Sequence, residues 1–337
     1  MSTPEADPAA VPEARFDLVP MALVPALALL AWLFVGSTST WVTLTVAGLA
    51  MGMVVFIIAS GLTLVFGLMD VLNFGHGVFI ALGAFVGMSV LGAAGDWTAS
   101  ESLWRNLAAV LPAMLVAMAV AGALGWAFER VMVRPVYGMH LKQILVTMGG
   151  MIVGEELIKV IWGPGPRPLP LPAALRGAVV LGDAAVEKFR LVAVAIGMAV
   201  LLAMLFTLGR TKLGLLVRAG VQDREMVESL GYPIRKLFVG VFVAGSALAG
   251  LGGSLWGLYQ QGVVPQMGAA VNVLIFIVII MGGLGSTLGS LVGALLVGLM
   301  ANYTGFLAPK AAMFSNIGLM VLVLLWRPQG LYPVANR

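Results

Sequence analysis

Apolar runs of about twenty residues, parted by short polar stretches, repeat along the whole chain. They cover roughly 18–36, 42–67, 72–92, 107–128, 143–162, 190–208, 238–258, 270–283, 287–304 and 311–326. Most match the ~20 residues that a membrane-spanning helix needs. The pattern predicts an all-α polytopic bundle of about eight to ten membrane segments. Segment 270–283 is short, covering only about 20 Å at 1.5 Å per residue. It is read as a crossing because the charge balance of the loops requires it, with a broken or re-entrant helix as the alternative.

Two apolar runs are interrupted by glycine-rich breaks. In GLTLVFGLMDVLNFGHGVFIALGAFVG, residues 61–87, Asp70, Asn73 and His76 stand among Gly67, Gly75 and Gly77. Polar groups and non-helical backbone at membrane depth survive only where protein or a wet cavity covers them. Asn73, Gly75, His76 and Gly77 are therefore candidate pathway residues. The bland reading is that Asn73 and His76 tie the break together, since a break must first satisfy its own backbone. Asp70 reads as a helix-end charge. The second break, GGLGSTLGS at 282–290, contributes Gly283 and Gly285 as pathway candidates and suggests an internal repeat with the first. Glu155, Glu156 and Lys159 lie inside segment 143–162. Glu155 and Lys159 are one turn apart and can pair, so an ion pair and a functional pathway role are both open.

Composition agrees with a membrane protein. Hydrophobic residues make up 61% and charged residues 10%, against about 25% charged in soluble domains. The 43 glycines suit close helix packing in lipid. There is no cysteine, hence no thiol chemistry. The basic residues collect in 129–142, in 209–237 and at the C-terminus. The positive-inside rule puts these connections and both termini in the cytoplasm, and it accounts for the net charge of +4 without nucleic-acid binding. Residues 1–17 read as a disordered tail that is not a cleaved signal, 18–330 as the membrane domain, and 331–337 as a C-terminal tail. The 163–189 loop, rich in Pro and Gly, reads as irregular or as a small hairpin.

Enzyme motifs are missing. No P-loop occurs, and the two histidines, His76 and His140, have no cluster of metal-ligand spacing around them. Transport is favoured over catalysis, with no metal and no cofactor held by this chain. The stretch 209–237, GRTKLGLLVRAGVQDREMVESLGYPIRKL, is a basic loop with an amphipathic helical middle. Leu216, Val217, Gly220, Val221, Met226, Val227 and Leu230 form its apolar stripe. Gly231 ends that helix and Pro233 keeps it from restarting. Such a helix fits a partner groove.

Here a family resemblance enters. Glu225 and Gly231 fit the E-A-A-x-x-x-G pattern of the coupling loop of ABC importer permeases. Arg218 to Met226 resembles the form found in branched-chain amino acid permeases. GLTLVFGLMDVLNFGHG is similar to their H-type subunit, and MGGLGSTLGSLVGALLVG, 281–298, also matches. The resemblance covers about 47–330. It implies an inner-membrane permease for branched-chain or other small amino acids, with urea, short amides and small carboxylates as alternatives. It further implies a related M-type permease subunit, a periplasmic solute-binding protein, and two cytoplasmic ATPases that hold ATP and Mg. It makes Arg218, Asp223, Arg224, Glu225, Glu228 and Gly231 the ATPase-coupling residues. The competing reading is a self-sufficient secondary transporter or channel, with Glu155, Glu156, Lys159 and His76 as a proton relay.

Overall fold

The computed structural model describes residues 17–222 and 224–333. The reading of 1–16 and 334–337 as tails, and the coupling role read for Asp223, lie outside the described residues. The described residues form a bundle of α-helical segments: α1 Val19–Val35, α2 Thr38–Met69, α3 His76–Ala93, α4 Gly95–Thr98, α5 Leu103–Phe128, α6 His140–Trp162, α7 Lys188–Arg210, α8 Lys212–Gln222, α9 Arg224–Ser229, α10 Ile234–Gln260, α11 Met267–Gly282, α12 Thr287–Leu307 and α13 Ala312–Trp326. Each of the ten apolar runs coincides with one long helix. Six of these helices are long and apolar enough to cross a membrane by length and composition: α2, α3, α5 with its continuation to Val136, α7, α10 and α12. The chain is a multi-pass membrane protein.

Two groups of connections mark the ends of the bundle. At one end the 163–189 loop forms a hairpin, β2 (Ala178–Leu181) with β3 (Ala184–Glu187). Before it, β1 (Arg167–Pro168) pairs with β4 (Gly262–Val263), which follows α10. At the other, basic end, Arg327 Nη2 meets Asp17 Oδ2 at 2.7 Å and Tyr332 Oη donates to Asp17 O at 2.7 Å. His140 and Asp70 lie 3.8 Å apart at the same end.

α2, its lower two-thirds buried, is the axis of the bundle. It packs against both α10 and α12 with glycine at the points of approach. A Cβ on Gly61 would strike Gly245 O, and one on Gly52 would lie 2.8 Å from Ala294 O. Small residues let helices meet in lipid, where apolar packing without close contact yields little. Between these helices Thr63 and Ser290 share a buried hydroxyl hydrogen bond of 2.6 Å.

α2 and α10 run antiparallel and end alike. Each terminates on a non-glycine residue in the left-handed region, Asp70 (φ 52°) and Gln261 (φ 53°). After each cap an irregular stretch of equal length, 70–75 or 261–266, turns back into the protein before the next helix starts. α2–α3 and α10–α11 are thus alike in cap geometry and in connection length, and inverted in direction, an arrangement that transporters use. The break before α12 stays at the basic end, where Leu331 N and Tyr332 N donate to Met281 O and Gly282 O at 2.9 Å. This also explains the shortness of segment 270–283. α11 starts inside the protein, and 261–266 completes the traverse as extended chain.

The candidate site where two half-buried helices meet

α3 begins far from the basic end. His76, its first residue, bonds Ile58 O through Nε2 at 3.1 Å. Ile58 lies eleven residues before the end of α2, about 16 Å along its axis. α11 begins at the same depth: a Cβ on Gly77 would sit 2.7 Å from Gly268 O, and one on Gly268 would strike Gly77 O. These are the second residues of their helices. The two helices point in opposite directions from this contact, so both N-termini, with their positive dipole ends, meet within the bundle.

The irregular stretch 71–75 is covered by protein, as membrane depth requires. Phe74 is its clamp. Its N–H donates to Thr147 Oγ1 of α6 at 3.1 Å, and its carbonyl accepts from Asn272 Nδ2 of α11 at 2.9 Å. Its ring stacks on Phe276, with centroids 4.7 Å apart. The Thr147 hydroxyl also donates to Gln143 O at 2.7 Å, so its one hydrogen is spent within α6. Thr147 and Asn272 were missed by the sequence reading. A lone Asn in VNVLIFIVII is the signal that points to it, since a polar side chain in a spanning helix needs a reason. Thr147 carries no comparable signal, as threonine is common in such helices.

Asn73 and His76 are fully buried. Neither the amide oxygen nor the amide nitrogen of Asn73 has a protein partner, and the same holds for His76 Nδ1, Asn272 Oδ1 and Gln143 Oε1. A carbonyl only accepts, so the His76 nitrogen facing Ile58 O carries hydrogen and Nδ1 is left as an acceptor. His76 thus ties α3 to α2 while half of its ring chemistry stays unspent. Leaving a buried polar atom unpaired costs about 1–3 kcal/mol. Four residues with such atoms beside two helix N-termini make this junction polar and poorly satisfied, while apolar residues surround it. Gly75 has no room for a side chain, with Phe128 Cζ 2.6 Å from a Cβ placed there.

Gly77 and Gly268 line a small cleft with Met151, Pro265 and Glu155. Lys159 Nζ contacts Glu155 Oε1 at 2.9 Å and Glu156 Oε1 at 2.8 Å. The pair expected from helical spacing is present, and Glu156 joins it. Glu155 faces the cleft, whereas Glu156 points outward with 63% of its side chain exposed. Gly283 and Gly285 are not brought to this junction. They sit at the basic end against Tyr332 and Gly67. Asp70 caps α2.

The described residues of the 209–237 stretch are helical on both sides of residue 223, in α8 and α9. Its expected stripe splits: Val217, Gly220 and Val227 are buried, whereas Met226 and Leu230 are exposed. Gly231, with φ 85°, follows α9 as the sequence suggests. Pro233 does not delay the next helix; it is the N-cap of α10. Glu228 is exposed on α9. Of the other coupling candidates, Arg218 lies in α8 and Arg224 and Glu225 in α9, but their side chains lie outside the description.

Residues 44–325 match the family model described as the permease component of the branched-chain amino acid transport system. The chain is 27% identical to the high-affinity branched-chain amino acid transport system permease protein LivH of Salmonella typhimurium, over 84% of this chain and 92% of that one. It is 28% identical to BraD of Pseudomonas aeruginosa, a permease protein of the same description, over 85% and 94%. A shorter similarity, 30% identity over 132 residues, links it to LivM of Escherichia coli, covering 38% of this chain and 30% of that one. No solved structure matches significantly. Matched by the family model over residues 44–325 and by these relatives over most of its length, this chain belongs to the branched-chain amino acid transport system permease family, as a membrane permease subunit of an ABC importer.

Proposed function

We propose that this permease admits branched-chain or other small amino acids, and that they pass through the α3–α11 junction. The observation that carries the reading is the meeting of two helix N-termini at Gly77 and Gly268, beside the unpaired polar atoms of Asn73, His76 and Asn272. Helix N-termini favour a carboxylate. Glu155, in the same cleft, has the charge to receive an ammonium group. A zwitterion needs both. Urea and short amides would use the amide side chains alone, and small carboxylates the N-termini alone.

The related M-type permease is the partner we assign to the outer side of α6. That helix exposes Leu145, Ile152, Val153, Leu157 and Val160 together with Glu156. A charge exposed in mid-helix faces protein or water rather than lipid. A solute-binding protein would dock on the end carrying 163–189, and two cytoplasmic ATPases, with their ATP and Mg, would dock on α8–α9. Closure of the ATPases would then bias the bundle between two arrangements. On this reading the protein sits in a bacterial inner membrane with its basic end and both termini in the cytoplasm. Arg218, Asp223, Arg224, Glu225, Glu228 and Gly231 form the contact.

The test is uptake by the reconstituted importer of labelled leucine, acetamide, urea and acetate. Leucine uptake that requires ATP and falls with Asn272→Leu, while the complex stays assembled, supports the reading. Uptake driven by a proton gradient without ATPases would overturn it and favour a relay through Glu155, Glu156, Lys159 and His76. Capture of the ATPase by the wild-type chain but not by Glu225→Arg checks the coupling assignment.

A further inference from the structure

A cavity of about 460 Å³ lies under α8 and α9, away from the junction. Leu64 and Leu68 of α2, Leu208 of α7, Val217 and Val227 of α8–α9, and Val241 of α10 are among its lining residues, and almost all of its wall is apolar. Along α10 it extends from Ile234 to Ala244, about 15 Å by helical rise. That is half of a ~30 Å hydrocarbon core, the depth of one leaflet. Its mouth is at the basic end. Lys236 lines it, Lys212 opens the helix whose Leu213 and Gly214 line it, and Arg210 and Arg235 flank it. All four cations are exposed, and among the described residues none of them is in an ion pair with an acidic side chain.

We infer that this cavity holds one acyl chain of an anionic phospholipid, with the phosphate at Lys236 and Lys212. An apolar slot one leaflet deep matches the chain. A cationic rim at headgroup level matches the phosphate, since basic pockets between spanning helices take anionic headgroups. A lipid so placed contacts α2, α7, α8, α9 and α10 together, and it would hold the α8–α9 segment to the bundle.

The experiment uses the assembled importer, stripped of lipid in detergent and titrated with phosphatidylglycerol or phosphatidylcholine under native mass spectrometry. Phosphatidylglycerol is expected to bind roughly thirtyfold more tightly than phosphatidylcholine, the contribution of two basic residues at the surface, about fivefold each. Lys212→Glu with Lys236→Glu removes that preference and leaves phosphatidylcholine binding intact. Gly240 lines the cavity, and a Cβ there meets no atom within 4 Å. Gly240→Phe therefore fills the slot and lowers binding of both lipids. Equal binding of the two lipids to the wild type overturns the inference, as does unchanged binding to Gly240→Phe. If Gly240→Phe fails to assemble, the charge-reversal pair decides. Loss of the site in the complete complex but not in the isolated chain would show a partner subunit there instead, and would also overturn it.

Discussion

The contact between Gly77 and Gly268 can be tested by adding a single methyl group. In Gly77→Ala the new Cβ lies 2.7 Å from Gly268 O and 2.9 Å from its carbonyl carbon. Ordinary contact begins near 3.4 Å, so α3 and α11 must part by about 0.7 Å. Both neighbours are backbone and cannot swing away as a flexible side chain would. Overpacking of this kind costs about 1–3 kcal/mol, a factor of roughly 5–150 in the folding equilibrium. The Asn272–Phe74 hydrogen bond spans the same gap and lengthens with it. The control is Gly318→Ala in α13, where a Cβ meets nothing within 4 Å. Replacing a helical glycine with alanine in open space gains about 0.5–1 kcal/mol. The two substitutions are chemically identical and should shift thermal unfolding of the purified chain in opposite directions. Leucine uptake should fall with Gly77→Ala alone. If Gly77→Ala is as stable as Gly318→Ala, the helix ends do not touch and the junction as described is wrong.

Thr147→Val and Asn272→Leu each remove one hydrogen bond to Phe74, at about 0.6–1.7 kcal/mol apiece in a membrane protein. Because they hold the same residue, their combined effect on unfolding should depart from the sum of the two. Lys159→Met strands two carboxylates on α6 and should reduce yield and assembly, with recovery when Glu155→Gln and Glu156→Gln are added. Recovery of folding without recovery of uptake would mark the charges as functional. At the basic end, the Val19 N–H and then Arg327 hold the Asp17 carboxyl below the usual carboxylate range. Its stabilisation is therefore present above its unfolded value, near 3.9, and is lost as pH falls through the lower folded value. Hydrogen exchange at 327–333 should rise only below about pH 4, and Asp17→Asn should raise it at neutral pH.

The hydrophobic pattern determined the helices. All ten apolar runs became helices, because a bilayer leaves an apolar segment no other way to satisfy its backbone. The sequence also marked Asn73 and His76, since polar residues in such a run stand out, and Glu155 with Lys159, since helical spacing makes them neighbours. It did not place these residues in depth. Depth depends on how far 70–75 and 261–266 turn back after Asp70 and Gln261, which no local propensity sets. Nor did it pair α2–α3 with α10–α11. Their likeness lies in cap geometry and chain direction, which glycine content does not show. Thr147 and Asn272 reach Phe74 from helices 73 and 198 residues away in sequence. Only the packing of α3, α6 and α11 around one irregular stretch brings them together, so the junction is a property of the tertiary structure.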